Sequence, residues 1–97
     1  MILNIYPASE KILYKILSKH NVMWKEILEV FSNKHRIEKV IKDNYGQIKY
    51  ACLGTAENGR YIKIIFVRES INNLKIITAL DMDDSEKKRF LRRWYDK

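Results

Sequence analysis

Cysteine, proline, glycine and histidine are all scarce in this 97-residue chain, and each shortage excludes something. A single cysteine, Cys52, rules out an internal disulfide and points to a reducing compartment. Beside Tyr50 in a β-rich run, it reads as a small buried hydrophobe rather than a nucleophile. One proline and three glycines leave no Pro/Gly linker, no Gly-rich phosphate loop and no G-x-S-x-G elbow. The two histidines, His20 and His35, stand in no HExxH spacing and no Cys/His cluster, so neither a metal nor a cofactor is expected. No apolar run approaches membrane-spanning length. Residues 1–10 lack the basic start and long apolar centre of a signal peptide. The expected setting is the cytoplasm, without membrane attachment.

What is present fits one globular domain: 46% of residues are hydrophobic and 32% charged. There are no internal repeats or low-complexity tracts. The 19 basic residues outnumber 12 acidic ones, for a net charge of +7 and a pI near 9.6. Such a balance favours polyanionic partners, nucleic acid or an acidic protein, although it also serves solubility.

The chain is organised around residues 47–80. Residues 47–55 (QIKYACLGT), 60–69 (RYIKIIFVRE) and 74–80 (LKIITAL) are predicted strands, rich in Ile, Val, Phe, Tyr and Thr. They are joined by turns at 56–59 and 70–73, and Asn58-Gly59 supplies the positive φ that a hairpin needs. The pattern predicts an antiparallel meander. Along the middle strand Arg60, Ile62, Ile64, Phe66 and Arg68 share one face, and Tyr61, Lys63, Ile65, Val67 and Glu69 the other. Both faces are apolar at the centre and polar at the ends, so alternation leaves open which meets the core. Arg60 and Arg68 are either solvated strand ends or the rim of an anion site.

Residues 1–6 read as an edge strand or an extended lead-in closed by Pro7. Ser9 is the expected N-cap of a helix with an apolar stripe of Ile12, Leu13, Ile16 and Leu17, ending at Lys19-His20-Asn21. A second helix is predicted at 23–32, with Ile27, Leu28 and Phe31 inward and Lys25, Glu26 and Glu29 outward. Residues 33–45 read as a strand or extended segment. Asp83 and Glu86 form a capping box for a last helix at 84–95, anchored by Phe90, Leu91 and Trp94. The basic remainder of that helix, Lys87, Lys88, Arg89, Arg92 and Arg93, is either dipole compensation or a contact for nucleic acid or a partner protein.

Three segments in this order resemble the BrnT-type toxins, small bacterial proteins with a RelE-like α+β fold. KHNVMWKEILEVFSN (19–33) is similar to the family's KHGV…EE…EVF pattern. LGTAENGRYIKIIFV (53–67) is similar to its LG.T..GRYL.VVF strand pair, and IITALDMDDSEKKRF (76–90) to its IISARDM strand and helix start. Gly54, Gly59, Arg60 and Tyr61 fall on LG…GRY, His20 and Val22 on KHGV, and Glu86 on the glutamate of the last helix. The resemblance implies two N-terminal helices, a meander of three to four strands and a C-terminal helix over residues 1–97. It also implies a metal-independent ribonuclease that arrests translation. Its partners would be RNA and a cognate BrnA-like antitoxin carrying a ribbon-helix-helix, with an oligomer of the two as a possible form. Leu80 stands where the family has the Arg of SAR, and Asn21 where it has the Gly of KHGV.

Cleavage through a 2′-hydroxyl needs a base, cations on the developing phosphorane charge and an acid for the leaving 5′-oxygen. Arg60, Arg68, Lys49 and Tyr61 are the candidate catalytic residues. Lys63, Lys88, Arg89, Arg92 and Arg93 are the candidates for holding nucleic acid. If the site lies on the Arg60 face, Ile62, Ile64 and Phe66 are its floor; if it lies opposite, Lys63 and Tyr61 take over. His20 reads as a helix-capping residue, His35 as solvated surface, and Trp24 and Trp94 as packing. The alternative to a ribonuclease is a non-catalytic module on the same fold that binds nucleic acid or an acidic protein, a reading favoured by Leu80.

Overall fold

A computed structural model describes residues 3–40 and 46–94. Its elements are β1 (Asn4–Pro7), α1 (Glu10–His20), α2 (Trp24–Ser32), β2 (His35–Lys39), β3 (Tyr50–Thr55), β4 (Tyr61–Ser70), β5 (Asn73–Asp81) and α3 (Asp84–Trp94). One five-stranded sheet runs in the order β1-β5-β4-β3-β2. β2 to β5 form the antiparallel meander, and β1 adds to the outside of β5 in parallel.

The predicted three to four antiparallel strands are thus a mixed sheet of five. A short apolar run announces neither its partner nor its direction; the open edge of β5 decides both for β1. Pro7 is the last residue of β1 and ends the run as expected; an edge strand tolerates it because it need not donate there. β2 falls within the extended segment predicted for 33–45, whose residues 41–45 lie outside the described part.

Local signals fix the helices. The Ser9 hydroxyl accepts the Ile12 N–H at 3.1 Å. Asn21, with φ 53°, ends α1 in the left-handed conformation. Met23 offers no side-chain cap, but the Glu26 carboxylate reaches back to accept its N–H at 2.9 Å. Glu26 is consequently buried, not on the wet side of α2, while Val30 joins the core and Leu28 turns outward. Cap geometry outranks the hydrophobic stripe at the first turn of so short a helix.

α1 lies against β5, and α2 against β3 and β4, on one side of the sheet. That side holds the main core, in which Ile16, Ile27, Ile62, Ile64, Phe66 and Ile76 are fully buried. The close approach of α2 requires Gly54: a Cβ there would stand 2.8 Å from Val30 Cγ1. α3 covers part of the other side through a smaller cluster of Leu53, Met82 and Phe90. The face of Arg60, Ile62, Ile64, Phe66 and Arg68 is therefore the core face, and those three apolar residues are no floor for an open site. Register slips between Ile65 and Phe66, leaving Ile77 of β5 without a paired residue.

Candidate functional site

α3 is fixed at both ends. Asp83 and Glu86 exchange their capping bonds, each carboxylate accepting the other's backbone N–H at 2.8 Å. At the far end the Trp94 indole N–H donates to the His35 carbonyl at 3.0 Å, tying the helix to β2. Between these fixtures, a groove of about 340 Å³ runs along the sheet beside α3. Ala51, Lys63 and Ile65 contribute from the central strands, Glu38 from β2, and Glu86 and Arg89 from α3.

Its charges are paired across elements. Lys63 Nζ lies 2.7 Å from Glu86 Oε2, the carboxylate oxygen left over from capping. Arg89 donates to both oxygens of Glu38, at 2.7 and 3.1 Å, and Arg36 Nε adds a third contact to Glu38 at 3.1 Å. The Glu38 hydrogen bond holds the Arg89 guanidinium even more firmly protonated than usual. Three cations thus face two carboxylates, a local surplus of positive charge. Leu80 pairs with Lys63 in the register, so its side chain shares this face.

Tyr61 also points to the α3 side. Its ring meets Phe90 edge-on at 6.1 Å, and Lys87 Nζ lies 5.5 Å above it. Lys88, Arg92 and Arg93 are exposed on α3, with the Arg93 guanidinium 5.2 Å from the Trp94 ring. Lys49 precedes β3, half-buried, and its carbonyl accepts the Val40 N–H at 2.7 Å. Arg68 is exposed at the opposite end of β4, 5.7 Å from the Tyr50 ring.

Arg60 stands apart as a clamp. It donates to Asp81 Oδ1 at 2.7 Å, to the Asn21 carbonyl at 2.5 Å and to the His20 carbonyl at 2.9 Å, with Glu26 Oε1 at 3.5 Å. One guanidinium thus closes the C-terminus of α1, meets the N-terminus of α2 and holds the end of β5. The hydrogen bond to Arg60 pulls the Asp81 carboxyl below its ordinary pKa. Arg60 and Arg68 share no anion site: buried core separates them.

The predicted residues accordingly divide. Lys63 and Arg89 line one groove with Tyr61 nearby, while Lys49, Arg60 and Arg68 lie elsewhere. Glu38 and Arg36 were missed because they sit in the segment with the weakest sequence pattern. The proximity of Glu86 and Lys63 has no sequence signal at all. His35 is not solvated surface: it is half-buried, with Nδ1 2.8 Å from the Asn33 carbonyl oxygen and its ring 5.9 Å from Phe31. Burial pushes the Cys52 thiol well above its ordinary pKa, so it is a poor nucleophile. Among the described residues, no three His, Cys, Asp or Glu side chains gather as metal ligands would, and no helix is long and apolar enough to cross a membrane.

No family model matches the sequence, and no curated protein matches it. The fold does have a counterpart of known structure, the ribonuclease toxin BrnT of Brucella abortus. The two superpose with a TM-score of 0.64 over 87% of this chain and 100% of that one, at 13% sequence identity. The α+β arrangement described above is a BrnT-type toxin fold.

Proposed function

We propose that this protein is the ribonuclease toxin of a type II toxin–antitoxin pair, cleaving RNA to arrest translation and neutralised by a cognate antitoxin. The observation that carries the reading is a cation-rich groove, built by Lys63 and Arg89, on the helix-poor side of a BrnT-type fold. In this reading an RNA phosphate replaces Glu86 and Glu38 as the partner of those two cations. Arg89 suits bidentate phosphate binding, as it already grips both oxygens of Glu38. Lys63 meets the charge that develops on the phosphorane. A carboxylate released from its ion pair stays beside the bound phosphate, where it takes the 2′-hydroxyl proton. Tyr61 is the neighbouring proton donor for the leaving oxygen. Lys49, Lys88, Arg92 and Arg93 extend the basic surface for flanking phosphates, and Arg60 acts through the scaffold.

A second reading, a non-catalytic module on this fold, is favoured by one observation. Lys63 and Arg89 each already have a carboxylate partner, and Leu80 brings no further charge to the face. Induced expression of the wild type, Lys63→Met and Leu80→Arg, followed by growth and RNA integrity, separates the two. Arrest with RNA loss, relieved by Lys63→Met, supports the ribonuclease. Arrest only for Leu80→Arg identifies a fold one side chain short of activity. Normal growth in all three leaves the binding module.

A further inference from the structure

The groove beside Lys63 has a neighbour. A second groove, of about 460 Å³, lies along β2, the outer strand of the sheet, and is lined by His35, Arg36, Ile37 and Arg93. Its charge differs in kind. The Lys63 groove carries Glu38 and Glu86 in its walls, whereas the described lining of this one holds two guanidiniums and no carboxylate. Arg93 is exposed, and among the described residues its partner is the Trp94 ring, 5.2 Å from the guanidinium. Arg36 joins the two grooves. It lines the second, while its Nε lies 3.1 Å from the same Glu38 oxygen that Arg89 grips, and its Nη1 donates to the Arg89 carbonyl at 3.3 Å.

We infer that this β2-edge groove is a subsite for a nucleotide flanking the scissile one, in which Arg93 binds a backbone phosphate of single-stranded RNA. The inference rests on the ribonuclease reading and extends its substrate site beyond Arg89. Arg89 and Arg93 stand four positions apart on α3, so they project from one face of the helix, about 6 Å apart along its axis. A lone anion needs only one of them; a strand with a phosphate on every nucleotide can engage both. A phosphate that reaches Lys63 or Arg89 must displace a carboxylate, but one that reaches Arg93 displaces only water. Arg93 is thus the first contact, and the phosphate that then competes with Glu38 does so as a tethered ligand. A cationic groove beside an aromatic ring, here Trp94, suits a single strand followed along its backbone. Continuity with the Lys63 groove through Arg36 favours one strand running through both over an acidic peptide held at the edge alone.

The test uses the full chain and a fluorescent pentanucleotide with 2′-O-methyl sugars, which blocks the attacking hydroxyl and so separates binding from cleavage. Anisotropy titrations over a series of salt concentrations give both the affinity and its salt slope. Arg93→Ala, at an exposed position, should weaken binding by at least ~10-fold and reduce the slope of log K against log salt by about 0.7, one phosphate contact on a single strand. Arg92→Ala removes the same charge from the neighbouring residue, which lines neither groove, and should weaken binding by less than ~3-fold. Equal losses for the two variants, or a salt slope that Arg93→Ala leaves unchanged, overturn the subsite and leave the ribonuclease reading standing. Displacement of the RNA by a glutamate oligomer of equal charge at equal concentration also overturns the subsite, since the groove would then suit an acidic peptide as well. Failure of the wild type to bind the pentanucleotide overturns the subsite and the ribonuclease reading together.

Discussion

The two faces of β4 begin from nearly the same composition and end in different physical situations. On one, Ile62, Ile64 and Phe66 lie fully buried beneath α1 and α2, and Phe66 stacks on Tyr50 with Phe31 edge-on. On the other, Tyr61, Lys63 and Ile65 remain half-buried beside the single helix α3. Their cations differ in the same sense. Arg60, on the first face, is held by two carboxylates and two helix-end carbonyls from three elements. Lys63, on the second, has one carboxylate. A cation with four partners of fixed geometry serves the fold; one with a single partner at the edge of a groove can exchange it for a phosphate. The number of helices laid on each face sets that difference.

The sharpest way to break the comparison is to empty the packed face. Phe66→Ala should destabilise by about 3–5 kcal/mol in urea unfolding, through lost transfer energy and the cavity left behind. Arg60→Ala comes next, at roughly 2 kcal/mol, because Glu26 and two helix-end carbonyls lose a charged donor while water reaches part of the site. The same variant should keep its RNA activity per folded molecule, which separates a clamp from a catalytic residue. Gly54→Ala should cost about 1–3 kcal/mol by forcing α2 away from β3, read from the same unfolding curves. On the other face, Lys63→Met should cost about 1–3 kcal/mol, because the buried Glu86 carboxylate loses its cation, and, in the ribonuclease reading, lower cleavage per folded molecule by about 10²-fold.

The smallest effect is on pH dependence. Arg60 lowers the folded-state pKa of Asp81, so this pair's contribution is complete above about pH 4, near the unfolded carboxylate value. It fades as pH falls through the depressed folded value. Asp81→Asn should therefore flatten the loss of stability on acidification slightly, slightly because Asp81 is well exposed.

Punctuation was the legible part of this sequence. Asn58-Gly59 gave the hairpin turn with φ of Gly59 at 87°, Ser9 the start of α1, Asn21 its end, and Asp83 with Glu86 the start of α3. Each acts over three or four residues, so sequence spacing alone expresses it. The candidate site was legible in residue type but not in grouping. Lys63 and Arg89 were named without the carboxylates that hold them, and Arg60 was set with Arg68 because alternation put them on one face. Burial of that face removed the shared site. The Arg89–Glu38 pair spans 51 positions, and no local pattern carries a contact of that range.

From the sequence alone came the meander, its turns, the helix caps, the basic balance and the resemblance to BrnT-type toxins, all of them properties of neighbouring residues or of totals. Only the tertiary structure decided that β1 pairs in parallel with β5, which face of β4 is core, that Glu26 goes inward, and that Leu17 stays half exposed. These are choices among surfaces of similar local character, and they are settled by which arrangement buries the most apolar area while leaving every buried charge a partner.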